Sequence, residues 1–140
     1  MTVKFLTIGE VKAVAHALAK ELMSWDEPIP DFDTRFPHAL ESCLATPFIR
    51  FKEHDPYPTL EDKGAILFYL MNKNHPFENG NKRIAITALI LFLWKNKKWI
   101  RVDNRELYNF SKWVAASNPK LKDQTIAAIK KFLELYVVSL

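Results

Sequence analysis

Residues 75–94 read HPFENGNKRIAITALILFLW, and this stretch decides the fold. Its first part, HPFENG, contains a proline and an Asn-Gly pair, which predict a loop. From Ile84 to Trp94 the chain is apolar on nearly every side of a helical wheel, so residues 81–96 are predicted to form a helix that is buried on all its faces. A bilayer crossing needs about 20 apolar residues, and this run is much shorter. It therefore indicates a core helix and not a membrane span.

Five other segments repeat apolar residues with the spacing of amphipathic helices. Their predicted limits are about residues 8–24, 33–45, 59–74, 103–117 and 123–138. Three of them open with a capping-box spacing, in which a Thr or Asp is followed three residues later by an acidic residue. The second helix tolerates Pro37 in its first turn. Its inward face is expected to carry Phe36, Leu40, Cys43 and Leu44.

Two stretches are predicted to be extended. Residues 46–58, called the flap below, contain three prolines around a short β-favouring centre and predict a surface flap or ribbon. Residues 99–102 are predicted to be short and extended. The chain has only three glycines in 140 residues, which also favours helices. The pattern predicts one all-α domain over residues 1–140, built around a buried central helix.

The composition excludes several classes of protein. A hydrophobic share of 49% and a charged share of 26% are typical of a globular chain, and they exclude disorder and fibrous repeats. The net charge of +4 is a mild basic excess that favours phosphate-bearing partners. The single cysteine, Cys43, excludes an intramolecular disulfide and is expected to be a small core hydrophobe. The first residues, MTVKFLTIGEV, lack the apolar centre of a signal peptide, so a cytoplasmic protein is expected.

The motif HPFENGNKR concentrates groups that suit phosphate chemistry. The start of a helix presents unpaired N–H groups and the positive end of the helix dipole, which together bind anions. Gly80 lets the backbone approach a phosphate, and Asn81 can donate to one of its oxygens. Lys82 and Arg83 add positive charge, and His75 is a base that titrates near neutral pH. This set favours phosphoryl or nucleotidyl transfer; the alternative is an ordinary turn followed by solvated cations.

The motif resembles the core motif of the Fic/Doc (death-on-curing) family, His-Pro-Phe-x-Asp/Glu-Gly-Asn-Gly-Arg. In the Doc branch a lysine replaces the last glycine of that motif, as it does here. The segment YPTLEDKGA at residues 57–65, the Asn74-His75 junction and the apolar helix after the motif are also similar to death-on-curing proteins. The resemblance implies a Fic-type helical domain over most of the chain.

The resemblance also implies a role for each matching residue. His75 takes the place of the general base that deprotonates a hydroxyl of a target protein. Gly80 and Asn81 match the residues that hold the nucleotide phosphates, and Arg83 matches the arginine that binds the phosphate chain. Phe77 matches the buried anchor of the loop.

Lys82 indicates which reaction the resemblance implies, and the flap indicates how the target protein would bind. In the Doc branch this lysine is associated with an inverted ATP, so that the γ-phosphoryl group faces the nucleophile and the adenylyl group does not. Lys82 is therefore expected both to bind phosphate and, together with Arg83, to act in catalysis by stabilising the charge of that phosphate. The flap, around residues 48–57, resembles the segment that aligns the target chain by strand addition.

Three features depart from the full Fic pattern. Asn79 stands where the family has the Asp or Glu that holds Mg²⁺; its amide oxygen can ligate the metal but adds no charge, although Glu78 lies next to it. Ile86 occupies the position of the second arginine, which the Doc branch also lacks. The self-inhibitory motif Ser/Thr-x-x-x-Glu-Gly/Asn does not occur in the sequence, so a separate antitoxin is expected to restrain the protein.

Taken together, the resemblance implies a toxin of a toxin–antitoxin pair that uses ATP and Mg²⁺ to phosphorylate a Ser or Thr hydroxyl. The target class that it implies is translation elongation factor Tu. Two alternatives stay open. One is adenylylation (AMPylation), the reaction of most Fic proteins, against which Lys82 argues. The other is a non-catalytic binding module with the Fic fold, which Asn79 favours.

The histidines outside the motif are expected to be ordinary structural residues. His16 and His38 are predicted at the surface or boundary of helices, and His54 in the exposed flap. The sequence has no His/Cys/Asp/Glu group with zinc-ligand spacing, so a structural metal is not expected.

Three tryptophans, Trp94, Trp99 and Trp113, lie near a cluster of lysines. Such a pattern can bind nucleic acid through stacking and charge. A net charge of +4 is a weak electrostatic signal, however, and tryptophans are more often part of a core. Nucleic-acid binding is therefore not expected, and the three side chains are predicted to be buried.

Overall fold

A computed structural model of the chain describes residues 2–23 and 28–140. It is 67% helical. The six helices in this part of the chain are α1 (residues 8–22), α2 (Pro37–Ala45), α3 (Leu60–Lys73), α4 (Asn81–Lys95), α5 (Asn104–Ala116) and α6 (Lys122–Tyr136). Three 3₁₀ turns cover Phe32–Thr34, Thr46–Phe48 and Pro119–Leu121, and the strands are β1 (Lys98–Ile100) and β2 (Val137–Ser139). The prediction of an all-α fold is confirmed.

Helix α4 forms the centre of the molecule, as the sequence predicts. Apart from Lys82, Ile90, Trp94 and Lys95, every residue of this helix is buried. It packs against α1, α3, α5 and β1, while α3 also packs against α6. Because α4 is covered on all sides by other elements, its N-terminus and the loop before it are held in place by residues from distant parts of the sequence.

Helix α1 changes its hydrogen-bond register in the middle. It is α-helical over Ile8–Glu10, π-helical over Val11–His16 and α-helical again over Ala17–Leu22. Its capping box is present: the Thr7 hydroxyl accepts from the Glu10 backbone N–H (3.1 Å), and the Glu10 carboxylate accepts from the Thr7 N–H (2.9 Å). The predicted end of this helix, at residue 24, lies outside the described residues.

Helix α2 begins later than its apolar pattern predicts. Pro37 is its first residue, and the preceding Phe36 is the N-cap, with 51% of its surface exposed. The expected inward position of Phe36 is therefore wrong, because this residue lies outside the helical register that buries Leu40, Cys43 and Leu44. Burial raises the pKa of the Cys43 thiol to about 12, in keeping with its predicted role as a core residue.

The flap is a short turn that an ion pair holds against α3. Phe51 and His54 exchange backbone hydrogen bonds of 2.9 Å, which makes a tight, exposed hairpin turn. Behind it the buried Lys63 of α3 donates to Asp55 (3.2 Å) and to the carbonyl of Pro47 (3.1 Å). Residues 49–54 lie at the surface, as predicted for the flap, whereas residues 46–48 form a 3₁₀ turn with a buried Pro47 and differ from the predicted extended stretch. The ion pair explains why the flap stays close to the helix.

The C-terminal part closes the fold with a two-stranded antiparallel sheet. β1 pairs with β2, and Trp99 lies opposite Val138. The predicted last helix extends too far, because residues 137 and 138 form the strand that completes this pair. At the start of α5 only half of the predicted capping box forms: Asp103 accepts from the Glu106 N–H at 3.0 Å.

The predicted burial of the three tryptophans is wrong. Trp94, Trp99 and Trp113 are 56%, 44% and 50% exposed. Each leaves its helix or strand on a side that neighbouring elements do not cover, and local spacing alone does not show which side that is. Among the described residues, every helix falls short of the length and apolar character needed to cross a bilayer.

Candidate active site

The motif loop, residues 74–80, joins α3 to the buried helix α4. His75 is exposed and has a φ angle of 46°, in the left-handed region. Residues other than glycine adopt this conformation rarely, and it costs of order 1 kcal/mol or more. The carbonyl of the next residue, Pro76, accepts a hydrogen bond from the N–H of Phe36 (2.9 Å). The loop therefore presents the imidazole of His75 on an exposed but structurally constrained position.

Phe77 anchors the loop in the core, as predicted, and is 1% exposed. Its ring packs against His16 (5.7 Å between ring centroids) and Phe32 (5.9 Å). His16 is itself buried, which corrects its predicted place at the surface or boundary. Its Nε2–H donates to the carbonyl of Pro30 (2.9 Å), and burial lowers the pKa of its imidazole. His16 thus supports the loop by packing against Phe77.

Asn81, the first residue of α4, is turned back onto the loop. Its Oδ1 accepts from the N–H of Phe77 (2.9 Å), and its Nδ2 donates to the carbonyl of Phe77 (2.8 Å). The residue is 9% exposed, and both polar atoms of its side chain bond the loop backbone. Asn81, which the sequence predicts to donate to a phosphate oxygen, thus has both of its polar atoms bonded to the backbone of Phe77 in the structure.

Gly80 is required by both its conformation and its surroundings. Its φ angle is 75°, and a Cβ atom built on it would lie 2.7 Å from Cγ1 of Ile29. A contact of that length requires the Ile29 side chain or the backbone to shift. The glycine therefore allows residues 28–31 to pack closely over the motif loop.

Lys82 and Arg83 follow each other in α4 but occupy different environments. The Lys82 side chain is partly exposed and makes no ion pair or hydrogen bond with any described residue. Arg83 is 2% exposed, and its Nη1 donates to the carbonyl of Met23 (2.9 Å) at the end of α1. Its Nη2 lies 3.5 Å from the position that a Cβ of residue 80 would occupy. Lys82 is thus accessible to a ligand, whereas Arg83 lies beneath the loop.

The sequence profile of the Fic/DOC family matches residues 5–93, well over half of the 140 residues. This range includes the whole motif loop and nearly all of α4. The chain belongs to the Fic/DOC family. Members of this family are typically transferases that modify protein hydroxyls, by AMPylation or phosphotransfer. No curated protein and no solved structure matches the chain significantly.

The Fic/DOC motif implies a Mg²⁺ ion, and this chain offers it few ligands. Asn79 can provide one neutral oxygen, Oδ1, which also accepts from the Gly80 N–H (2.8 Å). Glu78 is an exposed carboxylate one residue away. The described residues contain no group of three or more His, Cys, Asp or Glu side chains that could hold a metal. A Mg²⁺ ion at this Fic/DOC site would therefore depend mainly on the phosphates of its nucleotide, a common arrangement for this metal.

In the structure His75 lies at the start of the motif loop, and Gly80, Asn81 and Lys82 lie at its other end, at the loop–helix junction where α4 begins. Phe77 and Arg83 lie beneath that junction. Several supporting residues have no recognisable signal in the sequence, because they act through contacts between distant segments. They are His16 under Phe77, Met23 at Arg83, Ile29 over Gly80, and Ser111, whose hydroxyl lies 3.1 Å from the Lys82 carbonyl oxygen.

Proposed function

We propose that this Fic/DOC protein is a Doc-like phosphotransferase that moves the γ-phosphoryl group of ATP to a Ser or Thr hydroxyl of another protein. The observation that carries this proposal is the environment of Lys82. Its ammonium group has no protein partner among the described residues, and the residue itself lies in the first turn of α4, two positions after Gly80. An unpaired cation at a helix N-terminus suits a terminal phosphate, because charge and helix dipole act on it together.

The reaction is an in-line displacement in which His75 acts as the base. The target hydroxyl loses its proton to the His75 imidazole while its oxygen bonds to the γ-phosphorus. The bond from the γ-phosphorus to the β–γ bridging oxygen breaks, and ADP leaves with that electron pair. Lys82 stabilises the charge on the transferred phosphoryl group. The N–H groups of the first turn of α4 bind the phosphate chain in place of the Asn81 side chain.

Arg83 contributes from below the loop in this proposal. Its guanidinium is close to Gly80 and holds the end of α1 through Met23. A buried arginine needs acceptors, and the Met23 carbonyl is one of them. Because Arg83 is 2% exposed, its charge acts on the phosphates from beneath Gly80 in this proposal.

The biological role that we propose is that of a toxin, with translation elongation factor Tu as the target class and a separate antitoxin as its restraint. The flap fits a docking function, because Ile49 and Phe51 are exposed apolar side chains on a short hairpin. An extended peptide can add to such an edge through backbone hydrogen bonds.

Adenylylation is the second candidate, since the family carries out both reactions. In that case the α-phosphorus would face the target hydroxyl, and Lys82 would bind the outgoing pyrophosphate. A binding module without activity is the third candidate, and the neutral Asn79 in the metal position is the feature that favours it.

Parallel labelling tests the proposal. Purified elongation factor Tu is incubated with the protein, Mg²⁺ and either γ-³²P-ATP or α-³²P-ATP, and the intact mass of the target is measured. We expect label from the γ position only and the mass of one phosphate. Label from the α position with an AMP-sized mass would establish adenylylation, and an unchanged target would contradict both reactions on this substrate. Lys82→Gly should weaken phosphate transfer and allow adenylylation, while Lys131→Gly, at an exposed position of α6, is the control.

A further inference from the structure

We propose that α5 holds the two ends of the motif loop at a fixed separation, with Ser111 and Lys73 as the positioning residues. Helix α5 lies outside residues 5–93, the range that matches the family. His75 lies at one end of the loop and Lys82 at the other. The effect of α5 on catalysis therefore rests on the proposed function, in which these two residues act together.

Ser111 connects the two sides directly. It is fully buried in α5, and its hydroxyl donates to Oδ1 of Asn72 (2.6 Å) and lies 3.1 Å from the carbonyl oxygen of Lys82. Asn72 lies in the last turn of α3, three residues before His75, and its Nδ2 donates to the Phe68 carbonyl (3.0 Å). The hydroxyl has one proton to donate, and acceptors at the end of α3 and at the start of α4 both lie within its reach. Ser111 is therefore in polar contact with both sides of the loop.

Lys73 makes a second link between α3 and α5. Its ammonium donates to the carbonyls of Ala115 (3.1 Å) and Ser117 (2.6 Å) at the C-terminal end of α5. These carbonyls have no partner within the helix, and a cation there also interacts favourably with the helix dipole. Because Lys73 is two residues before His75, this contact fixes where the loop begins.

Both links are polar, buried or partly buried, and directed at the residues that flank the loop. A buried hydroxyl bonded to a buried amide is costly to break, since each group loses its partner away from water. The remaining support of the loop, through Phe77 and Asn81, sets its internal shape. The distance between the base and the phosphate-binding lysine is set by α5.

The experiment compares two variants with two matched controls. Ser111→Ala removes the hydroxyl link, and Thr87→Val removes another buried hydroxyl of the core, which donates to the Ala15 carbonyl at 2.7 Å. Lys73→Met removes the ammonium link. Lys95→Met removes an ammonium that bonds the Phe5 carbonyl (2.7 Å) at the opposite end of α4. Urea unfolding establishes the stability of each variant.

The first readout is the imidazole NMR signal of His75, followed beside those of the exposed His38 and His54. We expect the His75 signal to shift or broaden in Ser111→Ala and Lys73→Met, and to stay at its wild-type position in the two controls at comparable stability. Lys73→Arg should restore it. An unchanged His75 signal in both variants, or an equal change in the controls, would overturn the inference.

The second readout is transfer of phosphate from ATP to elongation factor Tu. We expect kcat to fall roughly 10- to 100-fold in Ser111→Ala and Lys73→Met, with KM for ATP nearly unchanged, because a displacement of about 1 Å affects the reaction more than binding. A matching loss in the controls would contradict a positioning role. If the wild-type protein transfers nothing, the proposed function fails on this target, and the His75 signal still decides whether α5 positions the loop.

Discussion

His75 combines an exposed imidazole with a left-handed backbone at the start of the motif loop. Strained backbone of this kind persists where the surrounding structure enforces it, here through Pro76 and the buried Phe77. We expect His75→Ala to reduce phosphate transfer by about 10²–10⁴-fold, the usual contribution of a general base, and to leave ATP affinity unchanged. Transfer assays and ATP titration measure both. His38→Ala, at an exposed position of α2, should behave as wild type; a His75→Ala variant with near-normal transfer would contradict the assignment.

His16, which packs under Phe77 of the motif loop, makes the stability of the protein depend on pH. Burial lowers the pKa of this imidazole; nearby Lys20 lowers it further, while Pro30 and Asp31 oppose the shift. The folded protein therefore binds fewer protons here than the unfolded chain does, so stability rises with pH. We expect the contribution of His16 to be complete above its unfolded pKa of about 6.5 and to fall as the pH drops below it.

Urea unfolding between pH 5 and pH 8 checks this prediction. His16→Phe keeps a ring beside Phe77 and removes the titrating group, so the stability of this variant should change less with pH than that of the wild type. His38→Gln should keep the wild-type dependence. Equal pH dependence in His16→Phe and wild type would show that other groups cause it.

At the scale of elements, the start of α4 depends on the close approach of residues 28–31 to Gly80. Gly80→Ala would place a side chain 2.7 Å from Ile29 in a left-handed conformation, so we expect a loss of about 2–4 kcal/mol in the free energy of unfolding. Gly9→Ala is the matched control in α1, because the nearest atom to its added Cβ would be 3.9 Å away. It should stabilise the helix by up to about 1 kcal/mol. Equal effects of the two substitutions in thermal unfolding would contradict this account.

The flap depends on the pair formed by Asp55 and Lys63. The Tyr57 N–H is the main cause that lowers the pKa of the Asp55 carboxyl, and Lys63 lowers it further. The charged pair is therefore present at neutral pH and lost in acid. We expect Asp55→Asn to loosen the flap and speed tryptic cleavage after the exposed Arg50 and Lys52.

Limited proteolysis followed by mass spectrometry locates these cuts. Asp33→Asn is the control, because its exposed carboxylate lies 3.7 Å from Arg35 and outside the flap. If Asp55→Asn and Asp33→Asn are cleaved at the wild-type rate, the ion pair does not hold the flap.

At the scale of the whole molecule, the C-terminal helices belong to the same core as residues 5–93. Leu133 of α6 is fully buried and faces α3, where its Cδ1 would lie 3.1 Å from a Cβ at Gly64. We expect Leu133→Ala to destabilise the whole protein by about 2–5 kcal/mol. Leu135→Ala, at a side chain that is 69% exposed, should change stability by less than about 0.5 kcal/mol.

A single urea transition, shifted as a whole in Leu133→Ala, would show that α6 unfolds together with the motif loop. Amide exchange at Phe77 reports on the loop in the same samples. If Leu133→Ala leaves the amide protection of Phe77 unchanged, the C-terminal helices unfold independently of the core that supports the site.

The sequence by itself determines the helices, the loop and the group of motif residues. These features are local: apolar spacing predicts a helix, and the capping boxes at Thr7 and Thr59 lie within four residues of chain. The buried centre at α4 also follows from the sequence, because a helix that is apolar on all sides has no stable place on a surface. The family motif is recognisable without a structure because it is also local, a single run of residues from 75 to 83.

Only the tertiary structure decides which side chains are covered and which remain accessible. Lys82 and Arg83 are adjacent cations in the sequence, yet packing against α1 buries Arg83 and leaves Lys82 partly exposed. The burial of His16 and the exposure of Trp99 have the same origin. Local spacing predicts the direction in which a side chain leaves its own helix or strand. The residues that it meets there come from segments far away in the chain. Their positions are fixed only when the whole core packs.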